Sequence, residues 1–494
     1  MSAPVRSVAI LSGICAILAP AAEAQRVGPK PIPIFAWSVA EMGVRERPAD
    51  LAPWRNITGF CWLSNGNLDK PAEAKAYLDK QRPGRRVLFD WDVYRIAYSH
   101  PEDQFTTAKG ERFTGPWWDH GLAEAEAKYE AYFRALREMG GQLDYYIIDT
   151  EHSPASDVNT AERWAAVAQD PRCAELLAAM KVASPDDIVN AKPFSFTWWR
   201  YSDYLACERY HRLFEVVKRY FPDVQGSDYG MGYHSATQLM AWGETKDVGD
   251  IPGRTGCHVG THQAPSLYGT ITYLGGIVVE GKPFGLGPFR SCLYATNVLR
   301  EAMVSNPQVP LMPWVSWRGY VSDWEKDPPD KRPPYSSVGK TDYFQEVFLH
   351  AALCNPLVIL TWNPYRWRQD QDAADYCQDP DMELLDDLAD QANEMVGYTD
   401  RQSLVTALTP AHQPFILTGC LANGGSVWRL TPDPDQSPVE LERIKVSDDP
   451  LSFRLGDATL TMPGGKVVMP AKQLSSVGYW ITGRDDLRPV VTRD

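Results

Sequence analysis

Eight short apolar runs recur along most of the chain, each separated from the next by a stretch with helical spacing. This alternation constrains the fold more than any other feature. The runs are IPIFAWS (32–38), ITGFCWL (57–63), RVLFDWDV (86–93), LDYYIIDTE (143–151), DVQGSDYG (223–230), APSLYG (264–269), LMPWVSW (311–317) and LVILTW (357–362). Between them lie amphipathic segments such as HGLAEAEAKYEAYFRALREMG and YLACERYHRLFEVVKRYF, whose apolar residues repeat at the helical period. Near-continuous apolar strands alternating with helices predict parallel strands buried on both faces. A (β/α)8 TIM-type barrel over residues 25–402 fits best. The competing arrangement is an open doubly wound sheet, but no GxGxxG follows the first strand.

After residue 402 the texture changes. PFILTGCLANGGSVWRLTPD, SFRLGDATLTM and SSVGYWITG are short alternating runs parted by Gly, Pro and Asp turns. They predict a small all-β, sandwich-like accessory domain over 403–494. At the other end, residues 1–24 carry Arg6, an apolar run from Val8 to about Pro20 and the small-x-small sequence Ala22-Glu23-Ala24. That is the pattern of a signal peptide cleaved after Ala24, so the chain is expected to be secreted or periplasmic, with no membrane anchor. Removing it leaves eight of nine cysteines, an even number that permits disulfides without deciding any pairing.

Formal net charge is −14. No basic stripe interrupts it, which argues against a nucleic-acid partner. The same field repels polyanions at long range. Histidines never fall in HxH or HExxH spacing and the cysteines form no CxxC, so neither a metal nor a cofactor is expected. No GxSxG elbow supports an esterase.

In barrels of this kind the chemistry gathers at the carboxyl ends of the strands. Those ends hold carboxylates and aromatics: Asp90 and Asp92 after the third run, Asp149 and Glu151 after the fourth, Asp228 and Tyr229 after the fifth. Tyr268, Trp317 and Trp362 follow at the sixth, seventh and eighth. Residues two apart on a strand face the same way, so Asp149 and Glu151 are expected to share the barrel mouth. Two carboxyls that close cannot both ionise cheaply, and the one held protonated can act as a general acid. Glu151, last on the strand and longer, suits the proton donor, and Asp149 its partner carboxylate. A structural role, capping the next helix or binding an arginine, is the alternative for the pair. Asp90 and Asp92 suit sugar hydroxyls or a second catalytic role, or else an ion pair with Arg95 or another barrel arginine. Asp228 suits a nucleophile, but if Tyr229 faces inward, Asp228 faces away. Trp117, Trp118, Trp198, Trp199, Trp317, Trp324 and Trp367 fall in expected loops, where exposed rings suit the apolar face of a sugar.

From about residue 115 to 400 the pattern resembles the hyaluronidase family of glycoside hydrolases. IIDTE resembles the family's fourth-strand ending, where an aspartate and the catalytic glutamate close an apolar run. VVKRYFPDV followed by QGSDYGMGYH, then APSLYG, then FRSCLYATNVLREAM before VPLMPWVSWRGY, and finally HAALCNPLVILTWNPY resemble its later segments in order. The resemblance implies a retaining, substrate-assisted mechanism. Glu151 would be the acid/base, Asp149 would orient an acetamido group, and Tyr229, Tyr268 and Trp362 would line the cleavage subsite. The expected activity is cleavage of a polysaccharide or oligosaccharide, endo-acting in view of the broad aromatic mouth. A non-catalytic carbohydrate-binding barrel is the other expectation carried forward.

Overall fold

The computed structural model describes residues 32–36, 55–92, 94–150, 154–158, 160–174, 196–229, 259–267, 278–279, 282–283, 288–305, 307–316, 342–362, 380–396, 402–405, 408–410, 412–422, 424–434, 451–475 and 477–493.

Strands β1 (Ile34–Ala36), β2 (Ile57–Gly59), β3 (Cys61–Leu63) and β4 (Val87–Asp90) come first. A small antiparallel hairpin of β5 (Gln104–Thr106) and β6 (Arg112–Thr114) follows. Then come β7 (Tyr145–Asp149), β8 (Gln225–Tyr229), a second short hairpin of β9 (Val278–Val279) and β10 (Lys282–Pro283), and β11 (Trp314–Ser316) and β12 (Ile359–Trp362). The remaining pairs in this part of the chain are parallel, in two four-stranded sheets of order β11-β12-β1-β2 and β3-β4-β7-β8. Phe60 alone separates β2 from β3, so the run 57–63 serves both sheets. At the far side, the backbone N–H groups of Thr261 and His262 donate to the carbonyl of Gly226 on β8 (3.0 and 2.9 Å). Gln263 and Ser266 make parallel bridges to Leu311 and Trp314. Of the run expected as a strand at 264–269, residues 264–267 are described and join β11 through the single bridge at Ser266.

Side-chain alternation sorts the strands onto two faces. Phe35, Phe60, Phe89, Tyr145, Ile147, Tyr229, Met312, Trp314 and Leu360 form one buried cluster. Leu88, Tyr146 and Ile148 face the opposite way and pack with Tyr129, Phe133, Tyr210 and Phe214 from helices Asp119–Glu138 and Phe196–Tyr220. Strands buried on both faces explain why their sequences read as unbroken apolar runs. Helix Asp119–Glu138 starts where the Asp103 carboxylate accepts from the N–H groups of His120 (3.1 Å) and Gly121 (2.8 Å), which satisfies orphan donors of its first turn. Trp198 and Trp199, expected in a loop, lie within helix Phe196–Tyr220.

The C-terminal strands are β13 (Gln402–Ser403), β14 (Phe415–Ala422), β15 (Gly425–Pro432), β16 (Leu451–Leu455), β17 (Ala458–Met462), β18 (Lys466–Val468), β19 (Tyr479–Gly483) and β20 (Val490–Arg493). They pair antiparallel in sheets of order β13-β14-β15-β19-β18 and β16-β17-β20. Their join to the α/β layer is not a loose one. Ile416, Cys420, Val427 and Trp480 belong to the same buried cluster as Phe348, Leu349 and Leu385 of helices Asp342–Leu353 and Pro380–Val396. Polar groups also cross the join. Glu346 and Arg429 are both fully buried and pair bidentately through Nε (2.8 Å) and Nη2. Thr431 and Ser475 donate their hydroxyls to the same carboxylate. His350 bonds Thr418 Oγ1 (2.8 Å) through Nδ1 and Thr431 Oγ1 (2.9 Å) through Nε2. Arg300 bonds Thr409, Thr418 and the carbonyl of Leu417. Gly478 leaves room for this cluster, since a Cβ there would overlap Glu346 Oε2 and come within 2.7 Å of Arg429 Nη2.

Cys61, Cys173, Cys207, Cys292, Cys354 and Cys420 are buried. Cys257 and Cys377 lie outside the described residues. No described helix is long and apolar enough to cross a membrane, and no described cluster of His, Cys, Asp or Glu has a metal-holding arrangement.

Candidate functional site

The carboxyl end of β7 sets the candidate site. Tyr145 and Ile147 point into the interior cluster, so alternation carries Asp149 onto the same face. Its side chain is only 1% exposed. In the β7–β8 register Asp149 stands opposite Tyr229. Tyr229 packs edge-to-face on Trp314 (centroids 4.9 Å) and lies 6.5 Å from Phe89. On the other flank, Phe89 and Asp90 of β4 pair with Ile147 and Ile148, and Trp91 follows Asp90 directly, as Asp149 follows Ile148. The N–H of Trp91 donates to Leu63 O (2.9 Å), holding that residue to the end of β3. Trp91 and Trp62 meet at 5.9 Å and 67°, and Trp62 rests on Phe89 at 5.0 Å. Both tryptophans are half-buried against the interior cluster. A buried carboxylate thus stands between a tryptophan corner and a tyrosine, at the end of a strand.

The neighbouring carboxylates take other directions. Asp90, one residue out of phase with Phe89, faces the helix layer, where Tyr146 donates to its Oδ2 (2.7 Å) and the Tyr129 hydroxyl lies 3.3 Å from that of Tyr146. Burial, followed by the Asp90 charge, pushes the Tyr146 phenol well above its ordinary value. The Tyr210 hydroxyl is raised the same way, by burial first and then by the charge of Asp149. These phenols therefore stay protonated, and that of Tyr146 serves as a donor. Asp92 accepts from the N–H of Asn65 (2.6 Å) and pairs with Arg95 Nε at 3.3 Å, the ion pair that was among its expected roles. Asp228 faces away from Tyr229, as alternation demands. Its Oδ2 accepts from the N–H of Val259 (2.8 Å), and its backbone carbonyl accepts from Trp314 Nε1 (2.7 Å). Of Asp90, Asp92, Asp149 and Asp228, strand alternation puts Asp149 alone among the interior rings.

Glu151, Tyr268 and Trp317 lie outside the described residues, and Trp362 ends β12 with its side chain outside them. Trp324 and Trp367 lie outside as well, as does Glu280, which falls in sequence between the paired strands β9 and β10. Trp117 and Trp118 need correcting. Read as exposed loop rings, they are 4% and 1% exposed. Trp117 is covered by Arg172, whose guanidinium carbon lies 4.4 Å from the ring centroid, and Trp118 packs on Tyr210 at 6.0 Å. Burial of this kind is the usual fate of a large ring beside a helix start. Sequence reasoning passed over Trp62 and Trp91. The signal was present in the period-two alternation from Phe60 to Trp62 and from Phe89 to Trp91, both on the interior face.

No family model matches the chain, and no curated protein matches it significantly. Among solved structures, bee venom hyaluronidase is similar at 11% identity, over 73% of this chain and 97% of that one, with a TM-score of 0.31. The α-amylase from H. orenii is similar at 10% identity, over 81% and 75%, with a TM-score of 0.30. A GH30 endoxylanase from Clostridium papyrosolvens is similar at 10% identity, over 94% and 98%, with a TM-score of 0.31. Likeness at this level transfers no function to this chain.

Proposed function

We propose that the chain is an exported glycoside hydrolase that cleaves a polysaccharide on a (β/α)8 barrel. In this reading Glu151 is the general acid/base and Asp149 its partner carboxylate. One observation carries it: Asp149, buried at the carboxyl end of β7, stands opposite Tyr229, one residue beyond the Asp90–Ile148 pair that Trp91 follows on the neighbouring strand. A carboxylate kept from water beside aromatic faces suits a sugar ring, and its neighbour two residues on suits proton transfer to a leaving oxygen. The parallel order from β11 through β8, together with the bonds from Thr261 and His262 to Gly226 and the bridges to β11, supports a closed barrel.

Attack by a substrate acetamido oxygen, with retention and with Asp149 as its positioner, is the mechanism proposed if the sugar is N-acetylated. Endo action is proposed with it. The leader-like residues 1–24 support export.

The test is product release from N-acetylated glycans, sulfated galactans and fucans, and neutral glucans, comparing the wild type with Glu151→Gln. Turnover by the wild type that the variant loses while staying folded supports the assignment. A wild type that releases nothing from any of them, or a fully active variant, refutes it. Cleavage of a polymer lacking acetamido groups keeps Glu151 and removes the substrate-assisted step.

A further inference from the structure

We infer that Trp62 and Trp91 form a sugar-stacking corner beside Asp149, taking the apolar face of an equatorially substituted pyranose next to the bond that is cut. This rests on the glycosidase reading above and names the class of unit its site receives. A pyranose with equatorial hydroxyls turns its axial C–H groups to its two flat faces, so it offers apolar area to a ring while its hydroxyls point sideways. An axial hydroxyl on that face would put an unpaired polar group against the indole, which costs affinity.

Three features place the corner. Trp91 directly follows Asp90, which pairs with Ile148, the residue before Asp149, and neighbouring strands lie about 4.8 Å apart. The two indoles meet at 67° rather than stacking on one another, so they form two walls of a corner. Phe89 fixes Trp62 from below at 5.0 Å, and the ladder bond from Trp91 to Leu63 holds the second wall. Rings held this way lose little freedom when a ligand arrives. Core packing alone would bury both rings, as it buries Trp314 and Trp118 completely, whereas Trp62 and Trp91 each keep part of their surface in solvent.

The test is binding of gluco-configured and galacto-configured oligosaccharides, N-acetylated and plain, to the Glu151→Gln protein, read by calorimetry so that turnover plays no part. Trp62→Ala and Trp91→Ala should each weaken binding of the gluco-configured ligands by about tenfold or more. Trp62→Phe and Trp91→Phe keep an aromatic face and should restore most of it. Thermal unfolding of all four variants separates lost stacking from lost folding, and the Phe variants decide the question if an Ala variant fails to fold. Unchanged affinity in the folded variants, equal loss in the Phe and Ala forms, or no binding of any pyranose ligand would overturn the inference. Tryptophan-dependent binding in a wild type that turns nothing over would keep the corner while sinking the hydrolase reading.

Discussion

Replacing Arg429 with methionine isolates what holds the C-terminal sheets to the helices. Arg429 and Glu346 are fully buried, and the carboxylate also accepts from Thr431 and Ser475. Without the guanidinium, the buried carboxylate keeps the Thr431 and Ser475 hydroxyls but loses its bidentate cationic partner. Coulomb's law at an effective dielectric of about 20 gives ~4 kcal/mol for unit charges about 4 Å apart. Breaking one side of a buried pair costs ~3–5 kcal/mol when measured in other proteins. Arg429→Met should therefore lose about 4 kcal/mol in urea unfolding. Trp480 serves as the optical probe, because the Arg429 guanidinium lies over its ring at 5.0 Å. The double variant Arg429→Met with Glu346→Leu removes both charges and leaves only hydroxyl groups short of partners, about 1 kcal/mol each. It should be more stable than the single variant by ~2 kcal/mol. A single variant within about 1 kcal/mol of wild type, or a double variant worse than the single one, would refute the idea that this pair couples the two parts of the fold.

Acid should weaken the same join. Burial, then Arg300 and Arg429, hold the His350 imidazole well below its ordinary range, so below about pH 6.5 the unfolded chain binds a proton that the folded chain does not. Stability should be flat above that pH and fall below it by up to ~1.4 kcal/mol per pH unit for this one group. A His350→Gln variant that keeps the full acid slope in urea unfolding would remove His350 from the account. Asp103→Ala, which strips the N–H groups of His120 and Gly121 of their acceptor, should cost ~1 kcal/mol in the same assay; Asp103→Asn should recover part of it. Gly478→Ala should destabilise by several kcal/mol, on the order of a broken buried pair, because its Cβ would overlap the Glu346 carboxylate. A neutral result would mean the backbone there moves freely.

The apolar period of the strands was legible in the sequence because burial on both faces leaves no polar alternation to mask it. The runs around Val87–Asp90, Tyr145–Asp149 and Gln225–Tyr229 could be placed from composition alone, as could the long amphipathic helix Asp119–Glu138. Alternation also foretold that Asp228 and Tyr229 face opposite ways. Other features depend on partners far along the chain, which local pattern does not carry. Asp90 and Asp149 each end a strand, yet a one-residue difference in phase sends Asp90 to Tyr146 and the helices and Asp149 to the interior. Trp117 and Trp118 looked like loop rings until Arg172 and Tyr210 covered them. Nothing near Arg429 in sequence announces Glu346, which lies 83 positions away. The period of a strand is set by its own residues, but the destination of a buried charge is set by whichever partner the tertiary fold brings within hydrogen-bonding reach.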